Sequence, residues 1–144
     1  MNPVVVDASV AVKWFVSDPA QEAHSDIALR LLASAVQGRL TLLQPPHFIA
    51  EVAAVLARLL PQSATENILD LLDLLGMQRD ATQDATIYAS AVELATTLDH
   101  HIFDTLYHAL ALQTPGAVLV TADGRYFDKA RHLGRMVWLA DFAA

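Results

Sequence analysis

The sequence predicts a single three-layer α/β/α domain, a parallel sheet covered by helices on both faces. Three observations carry that expectation. Short β-branched apolar runs alternate with longer segments of helical periodicity, the order of strand–helix units. The chain has 144 residues, of which 54% are hydrophobic, enough to bury a core within one domain. Ala and Leu abound while glycine occurs five times, which favours helices as the covering layers. No repeat, low-complexity tract or linker divides the chain, so residues 1–144 read as one unit.

Val4–Val6 is a continuous apolar run ending at Asp7, as a strand buried on both faces would be. A short helix follows over Val10–Phe15. Asp18-Pro19 supplies an N-cap and a first-turn proline for the next helix, and Gly38 closes it. Leu40–Leu43 reads as a second strand before Pro45-Pro46. His47–Leu60 places Phe48, Val52, Val55, Leu56 and Leu59 on one helical face, and Pro61 stops it. Thr65–Leu75 is a further amphipathic helix ending near Gly76, and Met77–Asp80 reads as a weak strand. Helices over Thr86–Leu98 and Ile102–Gln113 precede Pro115-Gly116. Ala117–Thr121 is the clearest strand of all. After Ala122-Asp123-Gly124 and a short helix, Met136–Leu139 forms the last strand.

Composition excludes several classes. With no cysteine, neither disulfide stapling nor Cys-ligated zinc is available. The apolar content excludes disorder. The longest stretch without Asp, Glu, Lys or Arg, Thr105–Ala122, contains Pro115 and Gly116, so it reads as helix, turn and strand rather than a membrane span. No basic segment precedes Asp7, so no signal peptide is expected and a soluble cytoplasmic domain is. The net charge of −7 argues against broad coating of nucleic acid. Even so, Arg125, Lys129, Arg131 and Arg135, four of the nine basic residues, cluster near the end of the chain.

Function is sought in the acids. Open parallel sheets bind ligands beyond the carboxyl ends of their strands. Asp7 directly follows the first strand and Asp123 follows Thr121 by two residues. Asp104 lies in the first turn of a helix, a lone carboxylate among Ile102, Phe103, Leu106 and Tyr107. Glu51 flanks the apolar stripe of its own helix. Each alone has a plain structural reading: a cap, a turn residue, a dipole partner or a solvated helix position. Together, four carboxylates at one edge repel unless a cation intervenes, and oxygen ligands suit Mg²⁺ or Mn²⁺. Such a centre serves phosphodiester hydrolysis.

DASVAVKWF after an apolar strand, a Glu behind a Pro-rich turn, FDTLYHALA and LVTADGRYF together resemble the PIN-domain ribonucleases, closest to the VapC-type toxins of toxin–antitoxin pairs. The likeness runs from Val4 to about Trp138. It implies a five-stranded parallel sheet of order 3-2-1-4-5. It also implies that Asp7, Glu51, Asp104 and Asp123 are the acidic catalytic and metal-binding positions. Asp7, Asp104 and Asp123 would hold the metal, and Glu51 would hold a water on it or a second ion. Ser9 matches the hydroxyl residue that supports the first Asp, and Thr121 the hydroxyl before the last acid. The resemblance further implies RNA cleavage with Mg²⁺ or Mn²⁺, a homodimer, and silencing by a VapB-like antitoxin. Ala8 stands where many relatives carry Thr.

Lys13, Arg125, Lys129 and Arg131 are candidate RNA contacts, set against an ordinary solvated face. Trp14, Phe15 and Phe48 read as core or dimer interface. His100, Asp104 and His108, spaced four apart, make a zinc site conceivable, but helix-start and surface histidines are the preferred reading. Asp128 reads as a surface residue rather than a fifth acid. A phosphoacceptor receiver domain is disfavoured, because adjacent acids after the first strand and a lysine after the last are missing. A haloacid-dehalogenase-like phosphatase lacks its Asp-x-Asp. The alternatives retained are a PIN-domain RNA-processing nuclease without an antitoxin, or a binding-only PIN domain. All four acids are present, so nothing in the sequence supports inactivation.

Overall fold

The computed structural model describes residues 2–16, 18, 20–75 and 85–143. Its sheet is fully parallel. Strand β1 (Pro3–Val6) lies between β2 (Thr41–Leu42) and β3 (Val118–Thr121), and β4 (Met136–Trp138) flanks β3, giving the order β2-β1-β3-β4. Val4 pairs with Val118 and Val6 with Val120. The described residues thus hold four strands, not the expected five. The expected third strand, Met77–Asp80, lies outside the described residues. After β1 the chain moves to one side of it to form β2, then returns to the other side for β3 and β4. That reversal puts a crevice at the carboxyl ends of β1 and β3.

Among the described residues seven α-helices accompany the sheet: α1 (Ala8–Ala11), α2 (Ser25–Val36), α3 (Phe48–Leu59), α4 (Ala64–Leu75), α5 (Ala85–Leu98), α6 (Ile102–Gln113) and α7 (Gly124–Ala130). The helix expected over Val10–Phe15 is α1 followed by a tighter 3₁₀ turn, Val12–Trp14. Trp14 is buried there, and its indole N–H donates to the Ala28 carbonyl at 2.9 Å. Phe48 is fully buried as well, so both are core residues, and Phe15 packs against that core. Helix α6 is the spine of the molecule: all seven residues from Thr105 to Ala111 are buried. The Thr105 hydroxyl donates to the Ala91 carbonyl at 2.8 Å, binding α6 to α5.

Two boundaries differ from expectation. The helix expected from Asp18-Pro19 starts instead at Ser25. Asp18 caps only a local turn, its side chain accepting from the Ala20 N–H and its carbonyl from Gln21 and Glu22. His24 then takes a left-handed φ of 60°, which cannot lie inside a right-handed helix. At the other end Gly38 (φ 74°) closes α2 as expected, with Arg39 N–H bonding back to Ser34. Leu40–Leu43 shortens to Thr41–Leu42 for a different reason. Pro45 and Pro46 cannot donate to a ladder, and the Gln44 side chain replaces them. Its Oε1 accepts from Val6 N–H at 2.8 Å and its Nε2 donates to the Val6 carbonyl at 2.6 Å.

This amide completes the backbone bonding of the residue immediately before Asp7. Gln44→Ala is expected to strand both buried Val6 groups and to lower unfolding free energy by about 2–3 kcal/mol. Denaturant unfolding checks it; a loss below about 0.5 kcal/mol would mean water takes over the role.

Candidate functional site

Asp7 opens the site. It sits at the carboxyl end of β1, only 7% exposed, and is the N-cap of α1. One carboxylate oxygen accepts from the Ser9 N–H at 3.1 Å and from the Ser9 hydroxyl. The other accepts from the Thr121 hydroxyl at the end of β3. Ser9 Oγ in turn accepts from Ala122 N–H, and Thr121 Oγ1 from Asp123 N–H, each at 3.0 Å. These hydroxyls therefore tie the two strand ends together around one carboxylate. Burial pushes the Asp7 carboxyl up to about 6, against the pull of the Ser9 and Thr121 bonds, and the charges of Asp123 and Asp104 add to the rise.

Asp123 caps α7 through the Tyr126 N–H at 3.2 Å. Asp104 lies in the first turn of α6 and accepts from, or shares a proton with, His100 Nε2 at 2.6 Å. Burial raises the Asp104 carboxyl above its ordinary value, the His100 bond opposes that, and the Asp123 and Glu51 charges reinforce it. Ligand atoms of His100, Asp104 and Asp123 all lie within 4.8 Å of one another.

Glu51 stands in the first turn of α3, where it accepts from the Tyr107 hydroxyl at 2.6 Å. His47 Nε2 lies 3.4 Å from the same oxygen and 2.8 Å from the Phe103 carbonyl. Burial opposes ionisation of Glu51, but these bonds outweigh it and hold the carboxyl below its usual range. The Tyr107 phenol is pushed far upward by burial and by the Glu51 bond, so it stays a donor.

The fold thus brings Asp7, Asp104 and Asp123 within electrostatic reach of one another, and Glu51 within reach of Asp104. Among the described residues no lysine or arginine pairs with any of them. Converging carboxylates without a lysine or arginine to neutralise them suit a hard divalent cation. The residues therefore fit Mg²⁺ or Mn²⁺.

The predicted basic residues are distributed differently. Lys13 is buried and pairs with Glu22 at 2.9 Å. Lys129 donates to the Asp99 carbonyl at 2.9 Å. Arg131 lies over the Phe127 ring, 5.0 Å from its centroid. Arg125 is exposed and lines an open depression with Ala95, Asp99, His100 and His101. Arg135 bonds the carbonyls of Thr114 and Ala117 beyond the end of α6. His108 has no place in a metal set. It is fully buried, with Nδ1 2.9 Å from the Tyr126 hydroxyl and Nε2 2.8 Å from the Gly134 carbonyl. A carbonyl only accepts, so Nε2 carries the hydrogen and Nδ1 accepts from Tyr126. Burial holds this imidazole below its ordinary value, in keeping with the neutral form.

Sequence reading did not single out Gln44, Tyr107 or His47 as supports of the site. The Pro-rich turn ahead of α3 was the available signal for Gln44 and His47. Tyr107 lies one turn beyond Asp104, on a helix whose burial hides its role.

The family model for the PIN domain matches residues 4–133. The chain belongs to the PIN-domain family, whose members are generally metal-dependent nucleases. No match to a curated protein or to a solved structure was found. No helix among the described residues is long and apolar enough to cross a membrane.

Proposed function

We propose that this chain is a metal-dependent endoribonuclease of the VapC type, the toxin of a toxin–antitoxin pair. The observation that carries the nuclease reading is the meeting of Asp7, Glu51, Asp104 and Asp123 at the β1/β3 edge with, among the described residues, no lysine or arginine paired to them. Asp7, Asp104 and Asp123 hold the cation, and Ser9 and Thr121 fix the Asp7 carboxylate for that task. A bound Mg²⁺ or Mn²⁺ supplies charge stabilisation to the phosphodiester and lowers the pKa of the attacking water. Glu51 is held ionised and oriented by Tyr107, ready to position that water or to take its proton. The acids are coupled, so the proton belongs to the set rather than to one residue. Arg125 lies beside the centre, where it can meet an RNA phosphate.

In this reading a VapB-like antitoxin silences the enzyme at the acidic edge, and the chain works as a homodimer in the cytoplasm. Exposed apolar side chains on α4 and α5, Leu69, Leu72 and Val92, are available for protein contact.

The test is cleavage of a mixed RNA pool by the purified chain with Mg²⁺ or Mn²⁺. Cutting is expected to vanish with EDTA. Chelator-insensitive cutting, or none at all from folded protein that binds metal, would overturn the proposal. An antitoxin that binds without inhibiting would remove the toxin part alone.

A further inference from the structure

We propose that His100 is a nitrogen ligand of the metal centre, so that the site takes Mn²⁺ in preference to Mg²⁺. The inference rests on the carboxylate centre described above and deepens it. Three observations place His100 there. Its Nε2 is 2.6 Å from Asp104 Oδ2, and one ligand atom from each of His100, Asp104 and Asp123 falls within 4.8 Å of the others. Bonds of about 2.0–2.2 Å to one octahedral ion put its ligand atoms roughly 3 to 4.3 Å apart, so an ion entering between them would open the His100–Asp104 pair by a few tenths of an ångström and bring the set within that range. The His100 side chain is 5% exposed, its ring packed on Tyr126 with centroids 4.9 Å apart.

The backbone is built to hold the ring in that place. Asp99 ends α5 with a left-handed φ of 50°, a conformation unfavourable for a residue other than glycine. His100 N–H then bonds back to the Ala95 carbonyl at 3.0 Å, and Lys129 secures the Asp99 carbonyl from α7. The turn directs the imidazole into the acidic edge rather than to solvent.

Ligand chemistry then sets the preference. Both ions take oxygen ligands, but Mg²⁺ keeps to oxygen and its waters, whereas Mn²⁺, at the start of the transition series, accepts an imidazole nitrogen among its oxygens. An imidazole that merely donated to Asp104 would help every ion alike. The two roles are separable by spectroscopy.

Pulsed EPR of the full chain loaded with Mn²⁺ is expected to show modulation from a directly bound nitrogen, lost in His100→Gln. The same variant should weaken Mn²⁺ binding about tenfold and Mg²⁺ binding, by competition, less than about twofold. Bound Mn²⁺ without nitrogen coupling in the unaltered protein overturns the proposal. So does an equal weakening of both ions, which marks His100 as a hydrogen-bond partner only. Unchanged affinity for both ions in Asp104→Asn and Asp123→Asn would overturn the carboxylate centre itself, and the proposal with it.

Discussion

Asp7→Asn is expected to abolish cleavage and, in the absence of metal, to make the protein more stable. Loss of a carboxylate that holds the ion removes several kcal/mol of transition-state stabilisation, a fall of roughly a hundredfold or more. The stability gain follows from where the charge is kept. Burial raises the Asp7 carboxyl from 3.8 to about 6 in the folded chain. The folded state therefore binds the proton more tightly than the unfolded one, and stability falls as pH rises from about 4 through 6. At neutral pH the ionised group costs up to about 3 kcal/mol, at about 1.4 kcal/mol per unit of pKa. Asparagine avoids that cost but loses part of the hydroxyl bonding, so about 1–3 kcal/mol of stabilisation is expected. Thermal unfolding in EDTA checks it. The variant should melt higher at pH 7, and the advantage should disappear near pH 4. A variant that melts lower at pH 7 would mean that the carboxylate is not strained by burial.

Thr121→Val tests the strand-to-strand tie with an isostere. Thr121 is fully buried, donates to Asp7 and accepts from Asp123 N–H. Valine keeps the volume and removes both bonds, leaving a buried N–H without its partner. A loss of about 2–3 kcal/mol is expected at neutral pH, because one bond is to an ionised group. Without that donor the Asp7 carboxyl rises further, so metal-dependent cleavage should need a higher pH to reach half its maximum. Thr121→Ser should restore the profile. If valine lowered stability but left the pH profile where it was, the hydroxyl would be a packing group rather than a support for Asp7.

The legible parts of the fold were those set by local rules. Val4–Val6 and Ala117–Thr121 stood out because strands buried on both faces have continuous apolar runs. Ile102–Gln113 stood out because its helical spacing ends at a Pro-Gly pair. The start of α2 was not legible, since Asp18-Pro19 has the composition of a helix start. A left-handed His24 overrides it six residues later. The length of β2 was hidden for a long-range reason: the side chain of Gln44 substitutes for backbone across the sheet. Leu59, placed on the apolar face of its helix, is 45% exposed, because that face meets the core at Phe48, Val52 and Leu56 and leaves it at the helix end.

The acidic positions could be found because an acid after an apolar strand is conspicuous. The capping roles of Asp7 and Asp123 leave them at the carboxyl edge of the sheet. Asp7 and Asp123 do cap the helices that follow them, and capping is what fixes their carboxylates at the edge. Lys13 was the opposite case. Its neighbour Asp7 suggested a phosphate contact, yet Glu22, nine residues on, takes its charge. The support of Glu51 by Tyr107 spans 56 residues, and no local pattern announces it.

That reach across the chain also bears on when the protein becomes competent. The Thr121 hydroxyl meets Asp7 across 114 positions. Contacts of such separation form late, after local helices, and a chain synthesised from its N-terminus presents Asp7, Glu51 and Asp104 before β3 exists. Until Thr121 and Asp123 dock, the first carboxylate lacks its donor and the centre its last acid. An acidic edge organised in this way is therefore complete only once β3 has been made and has docked beside β1.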